Sequence, residues 1–354
     1  MKKRLNTNTL LLIAALVLVP TAFGQEAGLT PDTKVETEKR AQTGMKFLSL
    51  SVDARAASLG SAMTAELTGS SVSMFYNPAS MAFMEGSFHA SVGITEFIAD
   101  INYNIASVAY RPGGGNYGVF GLSIINVDYG DFAGTIRSSN EQGFTETGNY
   151  SPSAIAIGLG YARSFSDRFA AGGHIKYASQ DIGNDFVTSQ NFETGAVLST
   201  DSYSKGTVAF DFGIVYATGF RSFVFAMSLR NFSRELTYVR ENFELPLTFQ
   251  IGIAMDLVDF ASMNSDTHSL MLHVDAQRPR DFVEHLQFGL EYTFMNIFSL
   301  RGGFEQLGLD EEQGISLGGG LHYEVNDLRF GVDYAYTDFG LFGDLNRIAI
   351  QVGF

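Results

Sequence analysis

An all-β transmembrane barrel of about fourteen antiparallel strands, plugged by its own amino-terminal segment, is the fold class this sequence predicts. Three observations predict it. From Ser87 to Phe354, apolar residues alternate with small or polar ones in run after run. The links between these runs are long after odd-numbered runs and mostly short after even-numbered ones. Residues 44–86, ahead of the first run, do not alternate at all.

The first residues address the chain for export. Lys2, Lys3 and Arg4 precede an apolar run at 10–19, and Ala22-Phe23-Gly24 supplies small residues at a cleavage position, so residues 1–24 read as a signal peptide. An uncleaved anchor is the alternative, but the run is shorter than the ~20 residues a spanning helix needs. The chain has no Cys, which excludes lipid attachment at a cysteine and means an exported protein built without disulfides. Without its leader the chain is more acidic than its formal charge of -15. No Lys/Arg cluster interrupts that acidity, which excludes nucleic acid as a partner.

Residues 25–43 are polar and charged and read as a flexible lead-in. Residues 44–86 read as a hatch inside the barrel, entered from the side where the chain termini lie, with short helices around 54–57 and 62–67. Arg55 is expected inside the lumen against a carboxylate, because a buried guanidinium requires a partner. Asn77-Pro78 is expected to form a turn that anchors the hatch, proline fixing the backbone and asparagine bonding locally. Met74, Phe75, Met81 and Phe83 are expected to line the path of an apolar ligand, or to pack the hatch.

The strand runs carry the fold. Ile315, Leu317, Leu321 and Tyr323 share one parity, and Ser316, Gly318, Gly320 and His322 the other. Successive side chains on a strand point to opposite faces, so one face is apolar and the other small or polar. Leu328, Phe330, Val332 and Tyr334 repeat the pattern, as do Ile348, Ile350, Val352 and Phe354, and earlier Leu247, Phe249, Ile251 and Ile253. Many runs approach the ~9–11 residues that cross a bilayer at a tilt. The alternative, a pair of soluble β-sandwiches, calls for strands of ~5–6 residues and a charged outer face. Links at 128–152, 181–204, 231–246, 305–313 and 337–346 read as external loops; an even strand count then puts both termini in the periplasm. The terminal Phe354 closes an Ile-x-Ile-x-Val-x-Phe strand and reads as a barrel-assembly signal.

No spacing in the sequence marks a catalytic site, a cofactor cradle or a metal centre, and the chain reads as a non-enzyme. The runs Gly113-Gly114-Gly115 and Gly318-Gly319-Gly320 do not open helices, so neither cradles phosphate. His89, His174, His273 and His322 fall on the inward parity of four strands, together with Asp211, Asp275, Glu291, Arg301 and Asp333. They read as lumen residues that pair with one another or with the hatch. Asp310-Glu311-Glu312 is an acidic loop, read as solvated.

Over residues 44–83 the sequence resembles the PorV/PorQ family, outer-membrane barrels related to the FadL fatty-acid transporters. The resemblance rests on Phe47-Leu48, Asp53-Ala54-Arg55-Ala56, Leu59-Gly60 and Tyr76-Asn77-Pro78-Ala79. The chain departs from that pattern at Ser58 to Ser61, where many relatives carry Met-Gly-Gly, and at Ser80, where many carry Gly. The resemblance implies a FadL-like barrel with Asp53, Arg55, Gly60, Asn77, Pro78 and Ala79 as the hatch motif. It further implies an interaction or shuttle role in type IX protein secretion, with exported cargo or secretion machinery as partners. The FadL relationship implies the alternative, transport of a hydrophobic small molecule across the outer membrane.

Overall fold

A computed structural model describes residues 43–190, 197–238, 241–260, 265, 267–306 and 314–354. The signal peptide expected at residues 1–24, nearly all of the lead-in expected at 25–43 and the acidic run Asp310-Glu311-Glu312 lie outside the described residues.

Fourteen antiparallel strands close into a barrel. They are β1 (Phe88–Glu96), β2 (Asn102–Tyr110), β3 (Val119–Asp128), β4 (Ser153–Ser166), β5 (Phe169–Gln190), β6 (Val197–Ala217) and β7 (Val224–Ser233). The ring continues through β8 (Thr248–Asp256), β9 (His268–Pro279), β10 (His285–Phe294), β11 (Phe298–Gln306), β12 (Ile315–Val325), β13 (Leu328–Asp338) and β14 (Asp344–Gly353). Each strand pairs with its chain neighbours, and β1 closes the ring on β14 with Val92 opposite Ile350.

The period of two becomes an inside and an outside. On β4, Ala154 and Ala156 are buried while Ile155, Ile157, Leu159 and Tyr161 are exposed. On β13 and β14 the outward residues include Phe330, Val332, Tyr334, Ile348 and Ile350. A belt of this kind around a closed barrel is the chemistry of a wall that faces lipid, since water-facing surfaces do not sustain so large an apolar area.

Three links contain more order than the sequence predicts. The span at 181–204 is not a loop: β5 and β6 run on together past Asp181, with register shifts at Gly183 and Phe186. Backbone pairing joins the two strands in this extension as far as Gln190 and Val197. In the link after β3, Phe132–Arg137 and Phe144–Tyr150 form a two-stranded ribbon on which Phe132 stacks against Tyr150 at 5.6 Å. In the link after β7, Leu236–Thr237 pairs with Asn242–Phe243.

Residues 43–86 fill the lumen. Their helix is α1 (Ala54–Ser58), and 3-10 turns follow at Ser71–Phe75 and Pro78–Phe83. The helix expected around 62–67 is absent. There Thr64 N–H donates to Asp275 on β9 and the Thr64 carbonyl accepts from the Asn77 side chain, so bonds to other parts of the molecule replace the i to i-4 ladder.

The direction of this segment also differs from the expectation. At its start, Gly44 N–H donates to the Glu244 carbonyl and Lys46 bonds Asp281, both in long-link-end connections. At its finish, Arg111 donates to the Met84 carbonyl and Arg329 pairs with Glu85, both at the short-turn end. The segment therefore enters at the long-link end and crosses the lumen. An even number of strands places the two ends of the barrel wall together, but it does not constrain where a segment preceding β1 begins.

Candidate functional site

The site is the contact between the inner segment and the wall. Asp53 caps α1, its carboxylate accepting from Ala56 N–H at 3.0 Å, and burial pushes that carboxyl up to about 6. One turn of helix then presents Arg55 to the wall. Its Nη2 lies 2.7 Å from Glu291 of β10 and 2.8 Å from Glu66 of the segment, and its Nη1 donates to Thr68.

The wall extends this network. Arg301 of β11 bridges Glu291 at 2.6 Å and Asp333 of β13 at 2.5 Å; Gln351 donates to Asp333, and His89 bonds both Gln351 and Ser71. Polar contact thus leaves the segment at Arg55, passes through five strands and returns to it at Ser71. Glu66, His273 and Glu291 bring ligand-type atoms within 4.8 Å of one another. The Arg55 guanidinium already spans the two carboxylates, and like-charge repulsion opposes a metal ion beside it.

Glycines let the segment touch the wall. Gly289, Gly303 and Gly318 stand on adjacent strands, and a Cβ on Gly303 would overlap the Gly60 nitrogen. Gly60 has φ +60°, and a side chain there would meet Phe304 N at 2.7 Å. Across the lumen Gly172 receives Pro78 and Ala79, Gly213 receives the Asn77 amide, and Gly121 and Gly160 receive Met74 and Met81.

Asn77 is the polar anchor of this half. Its Oδ1 accepts from Ala79 N–H at 3.1 Å, and its Nδ2 donates to the carbonyls of Thr64 at 2.8 Å and Ile214 of β6 at 3.2 Å. Replacing Asn77 with alanine strands these buried groups. The expected loss is about 2–3 kcal/mol, read from urea unfolding in detergent; unchanged stability would remove the anchor role.

Beside the segment lies a small cavity with room for about one water molecule. Leu48, Leu50, Val52 and Phe75 form its segment side; Ser123, His174, Lys176, Arg230 and Asn231 form the polar part of its wall side. Among the four residues expected along a ligand path, Phe75 lines this cavity, while Met74 and Met81 are sealed against Gly121 and Gly160, and Phe83 packs beside them.

The wall is irregular at the same place. Between Phe210 and Phe212 the β6–β7 register shifts, so that Asp211 faces both Arg230 and Asn231, a β-bulge with Asn231 at φ +64°. Asn231 N–H donates to Asp211 Oδ1 at 2.6 Å and holds the bulge. On the outer face next to it, a groove of about 280 Å³ is lined by Thr207, Val208, Phe210, Phe232, Ser233 and Arg234.

No protein-family model matches the chain, and no curated protein matches it. Solved structures do. The Ralstonia pickettii toluene transporter TbuX is similar over 85% of this chain and 96% of its own, at 13% identity and TM-score 0.53. The fold is that of the FadL-like barrels. The Pseudomonas putida toluene transporter TodX (12% identity, TM-score 0.54, 86% and 97% covered) and a Pseudomonas aeruginosa FadL homologue (11%, 0.52, 85% and 97%) share it. At such identities the likeness concerns the fold.

Within this FadL-like barrel, Arg55, Gly60, Asn77, Pro78 and Ala79 meet the wall, while Asp53 bonds within the segment, to Ala56 N–H. Phe354 is apart from them, stacked on Phe88 at 5.1 Å where the ring closes. Sequence reasoning missed most of the receiving glycines and the Asp211 bulge; the Gly318 run alone reads as a place of close backbone approach or a kink. The glycines had a signal, their repeated place on the inward parity; the bulge had none.

Proposed function

We propose that this FadL-like barrel resides in the outer membrane and moves a hydrophobic small molecule across it. The observation that carries this reading is the pairing of two cavities at one defect in the wall. The lumen cavity reaches Arg230 and Asn231, and the outer groove begins at Phe232 on the same strand. An apolar molecule gains from leaving water at either site, and a shift of the inner segment at Leu48 and Phe75 enlarges the inner one. Two of the similar structures are named as toluene transporters, which supports the chemical class. The short-turn end, with Phe354, faces the periplasm in this reading, and Phe354 serves recognition during barrel assembly.

The test is uptake of radiolabelled toluene by cells with and without the chain, and by cells carrying Ser233→Trp, which fills the outer groove. Expression is expected to raise uptake and the tryptophan to return it to background. Equal uptake in all three overturns the proposal.

A second reading, an interaction or shuttle component in type IX-like protein secretion, draws support from the long-link end. Strands β5 and β6 have 22 and 21 residues, about twice what a bilayer crossing needs, and the Phe132–Tyr150 ribbon stands beside that end with Phe132 and Phe144 exposed. Recovery of exported proteins on the barrel from native membranes, lost on trimming residues 182–202, is the result expected of it.

A further inference from the structure

We propose that Ser123, His174 and Asp211 form a hydrolytic site in the lumen that cleaves small apolar carboxylic esters. Ser123 Oγ is 2.8 Å from His174 Nε2, and His174 Nδ1 is 2.8 Å from Asp211 Oδ2. All three are buried, and they come from β3, β5 and β6. This is the relay of nucleophile, base and orienting carboxylate that activates a serine, a constellation recognised by geometry rather than by order in the chain.

Three further features go with it. Strand β4 lies between Ser123 and His174, and the position crossed by the imidazole is Gly158, where a Cβ would overlap His174 Nε2. The barrel wall thus has a gap where the ring must pass. Asp211 is held as a carboxylate in one orientation by Lys176 Nζ at 2.8 Å and Asn231 N–H at 2.6 Å. The hydrogen bond to this carboxylate places the His174 proton on Nδ1 and leaves Nε2 free to accept from Ser123. Finally, Ser123 and His174 both open onto the cavity, with Lys176 and Arg230 as cations and Leu48, Leu50 and Phe75 as an apolar wall. Positive groups beside a nucleophile stabilise the oxyanion that forms on an attacked carbonyl.

The chemistry balances with water as the only co-reactant. Ser123 Oγ bonds the ester carbonyl carbon as its proton passes to His174 Nε2. The C–O bond to the alcohol part then breaks, and that oxygen takes the proton and leaves as alcohol. Water attacks the acyl-serine by the same route, releasing the carboxylic acid and restoring Ser123. Because the ester needs more room than the closed cavity gives, the proposal rests on the displacement of the inner segment invoked for transport.

The experiment treats the full-length barrel in detergent with phenylmethylsulfonyl fluoride, maps the adduct by peptide mass spectrometry and measures phenyl acetate hydrolysis. One adduct on Ser123 is expected, with hydrolysis abolished by the reagent and by Ser123→Ala. Gly158→Ala, whose Cβ takes the place of His174 Nε2 beside Ser123, is expected to abolish hydrolysis. Arg55→Met, which loosens the segment, repeats the labelling with access to the lumen eased. No adduct on Ser123 in either protein, or hydrolysis that survives Ser123→Ala, overturns the proposal. Toluene uptake without any adduct rejects this site and leaves the transport reading standing; an adduct without uptake does the reverse.

Discussion

Arg55→Met is expected to destabilise the barrel by about 3–5 kcal/mol, the cost of removing one partner from a buried charge pair. The geometry explains the size. Arg55 is the cation between Glu66 and Glu291, whose side chains are only 6% and 5% exposed. Arg301 still reaches Glu291 in the variant, so the stranded charge is chiefly that of Glu66. Adding Glu66→Gln to Arg55→Met is therefore expected to recover a large part of the loss. Urea unfolding of the detergent-solubilised protein measures both, and proteolysis of the folded barrel reports whether residues 43–86 have loosened first. A loss below about 1 kcal/mol for Arg55→Met would place this contact among the weak, solvated ion pairs.

Gly303→Val is expected to unseat the segment without opening the ring. Its Cβ would overlap Gly60 N, and the next atoms in reach are also backbone, Leu59 C and Gly60 Cα. Backbone cannot swing aside as a side-chain tip can, so either the segment or β11 must give way. The ladder of β11 to β10 and β12 is continuous across this position, whereas α1 is five residues long. The segment is the softer of the two, and overpacking costs of about 1–3 kcal/mol or more fall on its seat. In planar bilayers the parent protein is expected to stay closed and the variant to show steady ionic conductance. A closed variant of unchanged stability would mean that the wall bends instead.

The barrel was legible in the sequence because its two faces meet different solvents. Ile155, Ile157 and Leu159 against Ala154, Ala156 and Gly158 state the lipid side in the plainest terms, and runs of this kind repeat to Phe354. The inward parity is harder to read, because a lumen that is filled selects for small size and for specific partners rather than for a class of residue. Gly213 and Gly303 look alike in sequence, yet one receives an asparagine amide and the other a peptide group. Arg55 was recognisable as a lumen cation, and Glu291 as an inward acid, but only the register that sets Glu291 beside Arg301 brings them to one place. Ser123, His174 and Asp211 lie on three strands and so have no motif spacing. The extension of β5 and β6 was illegible for the opposite reason: beyond the wall there is no lipid to impose a pattern.

The path of the inner segment has a consequence for assembly. Its bonds to the wall join residues far apart in the chain: Asn77 to Ile214 spans 137 positions, Arg55 to Glu291 spans 236 and Thr43 to Asp281 spans 238. Long-range pairings of this kind are formed late, because the entropy of closing large loops comes due before the contacts form. The segment then leads straight into β1, whose second neighbour is the last strand to be synthesised. Wrapping the sheet around the segment as the ring closes spares residues 43–86 from being threaded through a finished lumen; the segment is then an internal template for curvature, and the Phe88–Phe354 contact is the seam where the wrapping ends.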